Sequence, residues 1–237
     1  MKTILYKANA RGHANHGWLD SWHTFSFAGY HDPSRMHFGA LRVLNDDTVA
    51  PGRGFGAHPH ANMEIISIPL EGALEHKDNM GHTQVISKGD IQVMSAGTGI
   101  QHAEKNKNVD KPVKFFQIWI FPNKENVKPR YDQKTFTEAE KHNNLLTIVS
   151  PVGNADGVNI QQDAWFSLGK LDKGFSTNYK LKNKENGVYA FVIEGDVSIN
   201  DQKLSRRDGL GITDTDQLEI KADENAELLL MEVPMEL

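Results

Sequence analysis

Apolar positions along this chain come in short runs rather than long ones. IISIPLEG, DIQVMSAG, VKFFQIWIF, LLTIV, VYAFVIEG, DVSIN, DGLGIT, LEIKA and AELLLMEV follow one another at close spacing, with Gly, Asn and Asp between them. Regular short strands punctuated by turn residues predict a sandwich or barrel. The best helical candidate is TEAEKH at 137–142, short and polar, so the fold class read here is nearly all β.

The runs also repeat. LEG at 70–72, KGDIQV at 88–93, HAE at 102–104 and FFQIWI at 115–120 are matched in the same order by IEG at 193–195, RDGLGI at 207–212, LEI at 218–220 and LLLMEV at 228–233. Four correspondences in order favour a duplicated β unit and two barrels in tandem. The expected division is an N-terminal barrel over residues 1–122, a connection over 123–144 and a C-terminal barrel over 145–237. The halves differ in one respect that bears on chemistry. His102 and Glu104 fall opposite Leu218 and Ile220, and no histidine follows His142. The second barrel is therefore expected to be filled with aliphatic side chains, leaving one site per chain.

Composition narrows that chemistry. With 38% apolar and 24% charged residues, the chain is an ordinary globular protein and not a disordered one. A net charge of −5, with both signs mixed along the chain, offers no footprint for a phosphate backbone, so nucleic acid is not an expected ligand. No run approaches a membrane span, and MKTILYK holds only a three-residue apolar patch, so a cytoplasmic protein is expected. The absence of cysteine removes disulfides, thiolate metal sites and cysteine nucleophiles, which leaves His and carboxylate as the strong metal ligands. No GxSxG nucleophile signature occurs either.

Side chains at i and i+2 of a strand share a face, roughly 6.5 to 7 Å apart along the backbone. His58 and His60 have this spacing, and so do His102 and Glu104, with 41 residues between the pairs. That interval lets two or three strands cross a small barrel and return, so the pairs can face one another across its interior. Three neutral nitrogens and one carboxylate suit Fe(II), Mn, Ni, Co, Cu or Zn, and leave open positions on a five- or six-coordinate ion. The other histidines, His13, His16, His23, His31, His37, His76, His82 and His142, are read as surface or hydrogen-bonded residues. GTG at 97–99 is read as a tight turn that aims His102, and KNKNVDKPVK at 105–114 as a solvated loop.

Gly52, His58, His60 and Glu64, followed by the LEG that ends at Gly72, resemble the first motif of the cupin superfamily. Gly89 with GTGIQHAEKN at 97–106 resembles the second, including Asn106. HGWLDSWHTFSF at 16–27, ALRVLNDD at 40–47, GFGAHPHANMEI and MSAGTGIQHAE at 94–104 are similar, over essentially the whole chain, to the pirin family in its bacterial quercetin 2,3-dioxygenase-like branch. The resemblance implies a bicupin with one mononuclear metal in the N-terminal barrel, iron(II) first among the ions named above. It also bears on the fourth ligand. The general cupin pattern would use Glu64 and the pirin pattern Glu104; strand parity permits both, and Glu104 is chosen, with Glu64 as an alternative or supporting group.

The activity implied is cleavage of the 2,3-bond of a flavonol such as quercetin by dioxygen, with release of carbon monoxide. In it His58, His60, His102 and Glu104 hold the metal and Glu104 also takes the 3-hydroxyl proton. Two other classes stay open: a metal-binding regulatory protein of the pirin type, with a protein partner and no turnover, and a non-oxidative cupin isomerase or hydrolase.

Overall fold

The computed structural model describes residues 1–237. The predicted helix is a single turn, Glu138–Lys141, held by a capping box in which Thr137 and Glu140 each cap the other's backbone. Apart from a 3₁₀ turn at Ala8–Ala10, the other regular elements are all strands, in four sheets. No helix is long and apolar enough to cross a membrane.

The N-terminal unit has a seven-stranded and a four-stranded sheet. In spatial order the first runs Arg130–Thr135, Asp90–Ser95, Glu64–Glu71, Val113–Ile120, Leu41–Val49, Leu19–His23, Gly12–Asn15. The second runs Gly54–His60, Ile100–Asn106, Ala73–Asp78, Thr83–Ser87. The C-terminal unit repeats the plan. Its large sheet runs Lys2–Tyr6, Gly209–Thr213, Asn186–Glu194, Ala226–Pro234, Trp165–Leu171, Leu146–Pro151, Val158–Ile160, and its small one Ser176–Lys180, Gln217–Ala222, Asp196–Ile199, Gln202–Ser205. The strand carrying Leu218 and Ile220 therefore occupies the same place in its sheet as the strand carrying His102 and Glu104. The duplicated, all-β architecture is the one the repeat predicts, and it agrees with the bicupin the resemblance implies.

Each large sheet takes an outer strand from outside its expected unit. Lys2–Tyr6, at the start of the chain, pairs antiparallel with Gly209–Thr213 in the C-terminal sheet. Arg130–Thr135, within the stretch expected to be a connection, pairs with Asp90–Ser95 in the N-terminal sheet. The N-terminal sheet thus extends past 122 to Thr135, and the C-terminal sheet takes its outer strand from the start of the chain. The reason is physical: Asp90–Ser95 and Gly209–Thr213 would otherwise end their sheets with unpaired N–H and C=O groups, and each is covered by the nearest free segment.

Alternation explains how one strand serves two environments. In Val113–Ile120, Phe116, Ile118 and Ile120 join a 27-residue apolar cluster together with Phe166, Phe191 and Met231 of the other unit. Phe115, Gln117 and Trp119 point the opposite way, into the N-terminal barrel. The barrel interiors differ as expected. The C-terminal one holds a continuous cluster of 17 buried apolar residues that includes Leu218 and Ile220. The N-terminal one has only clusters of five and four, and the space between them is polar. At ~25 cal/mol per Å² of apolar area, the first interior stabilises its own fold, whereas the second leaves room for a site.

Candidate metal centre

The strand Gly54–His60 is placed by two glycine effects. A Cβ on Gly54 would collide with the Glu104 carbonyl, so only glycine lets this strand approach Ile100–Asn106 closely. Gly97 and Gly99 have φ of 46° and 134°, and form the tight turn that launches Ile100–Asn106. His102 then stands directly opposite His58, and Ile100 opposite His60. Between His102 and Glu104 the pairing shifts, from His58 to Phe55, which puts one extra residue in the Gly54–His60 strand. Such a bulge bends its strand and re-aims nearby side chains.

The three imidazoles converge. Ring centroids are 4.8 Å apart for His58 and His60, 4.5 Å for His58 and His102, and 5.0 Å for His60 and His102. One nitrogen from each lies within 4.8 Å of the others. His58 Nδ1–H donates to the Gly56 carbonyl at 2.8 Å, inside the bulge. A carbonyl can only accept, so the His58 lone pair sits on Nε2. His102 is buried, and its Nε2 has no hydrogen-bond partner in the protein. Leaving a buried polar atom unpaired costs roughly 1–3 kcal/mol, a penalty a bound cation would remove. Desolvation pushes the His60 pKa down to about 4 and the His102 pKa down to about 3, with neighbouring histidines adding to both shifts. Both are neutral donors near pH 7.

Glu104 is buried on the same strand as His102. It forms a second converging group with His102 and His76, again with all donor atoms within 4.8 Å. Gln117 Nε2 donates to its Oε2 at 2.8 Å and Ser67 Oγ to its Oε1 at 3.3 Å. Burial raises the Glu104 pKa, and the neighbouring His76 and the Gln117 bond only partly oppose this. His102 is common to both groups, so the pairs HxH and HxE meet through it. The donors in these two groups are imidazoles and one carboxylate, a chemistry that fits a divalent transition metal ion.

Glu64 lies elsewhere. Its strand begins after Asn62, whose φ of 47° ends the alternation carried from His58 and His60. Glu64 consequently shares a face with Ile66 and Ile68, which pack between the units, while Ser67 turns inward to Glu104. Its Oε2 accepts from Ser95 Oγ at 2.7 Å.

His58 and Glu104 also line a cavity of about 510 Å³, within the range of small-molecule sites. Phe27, Tyr30, Phe55 and Trp119 give it aromatic walls. Asp47 lines it too; Ser21 donates to Asp47 Oδ1, and burial drives that carboxyl's pKa up to about 7. Sequence reasoning missed Gln117, Ser67 and Asp47, which carry no metal-ligand spacing. It also took His76 for a bland residue, although His76 and Asp78 repeat the i, i+2 spacing of the other pairs.

Similarity to known proteins covers both units. A family model described as Pirin matches residues 6–120, and one described as the quercetinase C-terminal cupin domain matches residues 147–233. The chain is 45% identical over 230 residues to a quercetin 2,3-dioxygenase of Escherichia coli (strain K12), spanning 97% of this chain and 98% of that protein. A solved bacterial pirin from Escherichia coli, in complex with nickel(II), superposes with a TM-score of 0.93 at 43% identity, covering 98% of this chain and 99% of that one. A quercetin 2,3-dioxygenase from Acinetobacter baumannii, with a TM-score of 0.78 at 20% identity and coverage of 98% and 85%, shares the fold.

Proposed function

Because this chain belongs to the pirin family, we propose that its N-terminal barrel is the mononuclear metal centre of a dioxygenase acting on chelating, flavonol-like substrates. The observation that carries the reading is the meeting of His58, His60 and His102 around a buried nitrogen without a partner, beside Glu104 and a cavity of about 510 Å³. His58, His60, His102 and Glu104 are the ligands assigned, and iron(II) the first ion, with nickel bound by a close relative. The ion would supply Lewis acidity toward a hydroxy-ketone and the redox partner that dioxygen chemistry requires.

The chain's own residues do the rest. Phe27, Tyr30 and Trp119 form apolar walls that exclude water and admit a flat aromatic molecule. Glu104, its basicity raised by burial, takes the proton of the substrate's 3-hydroxyl at a carboxylate oxygen. Gln117 and Ser67 keep that carboxylate in place while its charge changes.

Oxygen uptake and carbon monoxide release with quercetin, measured on protein loaded with each candidate metal, test the proposal. His58→Ala and Glu104→Ala should abolish both while the circular dichroism spectrum stays that of a β protein. Uptake that survives His58→Ala would refute it.

A further inference from the structure

His102 has a further imidazole neighbour, His76, which is completely buried on the strand Ala73–Asp78. His76 Nδ1 lies 3.4 Å from His102 Nδ1, and His76 Nε2 lies 3.0 Å from Asp78 Oδ2. Asp78 also accepts the backbone N–H groups of Met80 and His82 on Oδ1, at 2.9 and 3.0 Å, and His82 Nδ1 lies 2.9 Å from its Oδ2. Tyr131 packs over both His76 and His82, with centroids 4.8 and 5.1 Å away.

The hydrogens in this chain of contacts follow from donor and acceptor rules. Asp78, surrounded by four donors, is a carboxylate and can only accept, so His76 carries its hydrogen on Nε2. A neutral His76 then offers a lone pair at Nδ1. The contact with His102 is a hydrogen bond only if His102 carries its hydrogen on Nδ1, and a neutral imidazole has just one. The lone pair of His102 is thereby left on Nε2, the buried atom that has no partner in the protein.

We propose that Asp78 and His76 are positioning residues that fix His102 in the tautomer able to bind a cation. The inference rests on the reading of His58, His60 and His102 as a metal centre. It also accounts for the group formed by His76, His102 and Glu104 without a second ion. His76 has both nitrogens engaged, Nδ1 with His102 and Nε2 with Asp78, and offers no free lone pair to a second ion. Supporting carboxylates behind a ligand histidine are a recurrent device, and their loss typically weakens metal binding ~10- to 100-fold.

Asp78→Asn is the decisive variant. Its Oδ1 still accepts the Met80 and His82 amides, so the turn is kept, but an N–H₂ replaces Oδ2. That group donates to His76 Nε2, moves the His76 hydrogen to Nδ1, and so forces the His102 hydrogen onto Nε2. His76→Asn instead places an amide oxygen where Nδ1 stood and preserves the acceptor that His102 needs.

Two measurements test this. Long-range ¹H–¹⁵N spectra of the metal-free protein should show His102 as the Nδ1–H tautomer and His76 as Nε2–H, with both reversed in Asp78→Asn. Nickel(II) titration against a competing chelator should show affinity reduced ~10- to 100-fold in Asp78→Asn, and nearer to wild type in His76→Asn. A merely structural role predicts the opposite order, because His76→Asn removes more buried volume. Wild-type-like nickel affinity in Asp78→Asn, or His102 found as Nε2–H in the unsubstituted protein, overturns the relay. Absence of nickel binding by the wild type overturns the metal-centre reading instead, and the tautomers, read without metal, still decide the relay.

Discussion

Gln117 Nε2 donates to Glu104 Oε2 at 2.8 Å across the barrel interior, and the single Ser67 hydroxyl hydrogen is shared between Glu104 Oε1 and Gln117 Oε1, each 3.3 Å from Ser67 Oγ. A buried carboxylate is thus clamped by two neutral dipoles and has no cationic side chain bonded to it. Gln117→Leu removes the stronger donor at nearly constant volume. Burial already raises the Glu104 pKa, and losing this bond raises it further, so the variant's deficit in metal affinity should be largest at the acidic end of the range and shrink as pH rises. Nickel(II) titrations of wild type and variant from pH 6 to 9 check this; parallel curves would refute it.

Asp47 predicts a pH effect of defined sign on stability. Burial lifts its folded-state pKa from 3.8 to about 7, with the Ser21 bond opposing the shift. Between those values the folded chain holds a proton that the unfolded chain has lost. Its contribution is fully present below the ordinary value and is lost as pH rises through about 7, on the order of a few kcal/mol in total. His60 and His102, with lowered values, act with the opposite sign from the ordinary histidine range downward, so the wild-type profile alone does not isolate Asp47. The comparison does. Asp47→Asn, which keeps an acceptor for Ser21, should gain stability relative to wild type in urea unfolding as pH rises from 4.5 to 8. Equal stabilities at both would refute the assignment.

Much of this was legible because it depends on local spacing. The period-2 runs and their glycine punctuation are enough to read an all-β chain, and Leu218 and Ile220 opposite His102 and Glu104 are enough to read a filled second barrel. The convergence of His58, His60 and His102 was legible for the same reason. Glu64 was not, because one residue with positive φ, Asn62, breaks the strand whose parity appeared to continue. His76 and Gln117 were illegible because their roles come from neighbours 26 and 13 residues away, brought close only by strand pairing. The two added outer strands were invisible, since Lys2–Tyr6 and Arg130–Thr135 read as ordinary polar-flanked segments whichever unit they join.

Metal loading should stabilise the chain through the same histidines. A ligand that binds only the folded state adds RT ln(1 + [L]/Kd), about 2.7 kcal/mol at one hundred times Kd. For a chain of this size that corresponds to roughly 5 to 10 °C in Tm. Wild type should show this rise with nickel(II), and His102→Ala should show none, by differential scanning fluorimetry. A matching rise in His102→Ala would place the binding ion elsewhere on the surface.

The strand Lys2–Tyr6, which joins the C-terminal sheet from the start of the chain, should make the two units unfold as one. Tyr6 is the buried residue of Lys2–Tyr6, and its ring packs against Phe25 of the N-terminal unit at 6.1 Å and Tyr189 of the C-terminal unit at 5.5 Å. One side chain at the start of the chain therefore joins both halves within the shared 27-residue core. Tyr6→Ala should cost about 3–5 kcal/mol, as large-to-small changes at buried aromatics do. The loss should appear as a lower midpoint in a single transition, because neither barrel can release its inner face without exposing the other's. Coincident urea curves from tryptophan fluorescence and far-ultraviolet circular dichroism would meet this expectation. Trp18, Trp22 and Trp119 report the N-terminal unit and Trp165 the C-terminal one, so independent unfolding of the two barrels would separate the fluorescence curve from the circular dichroism curve and refute it.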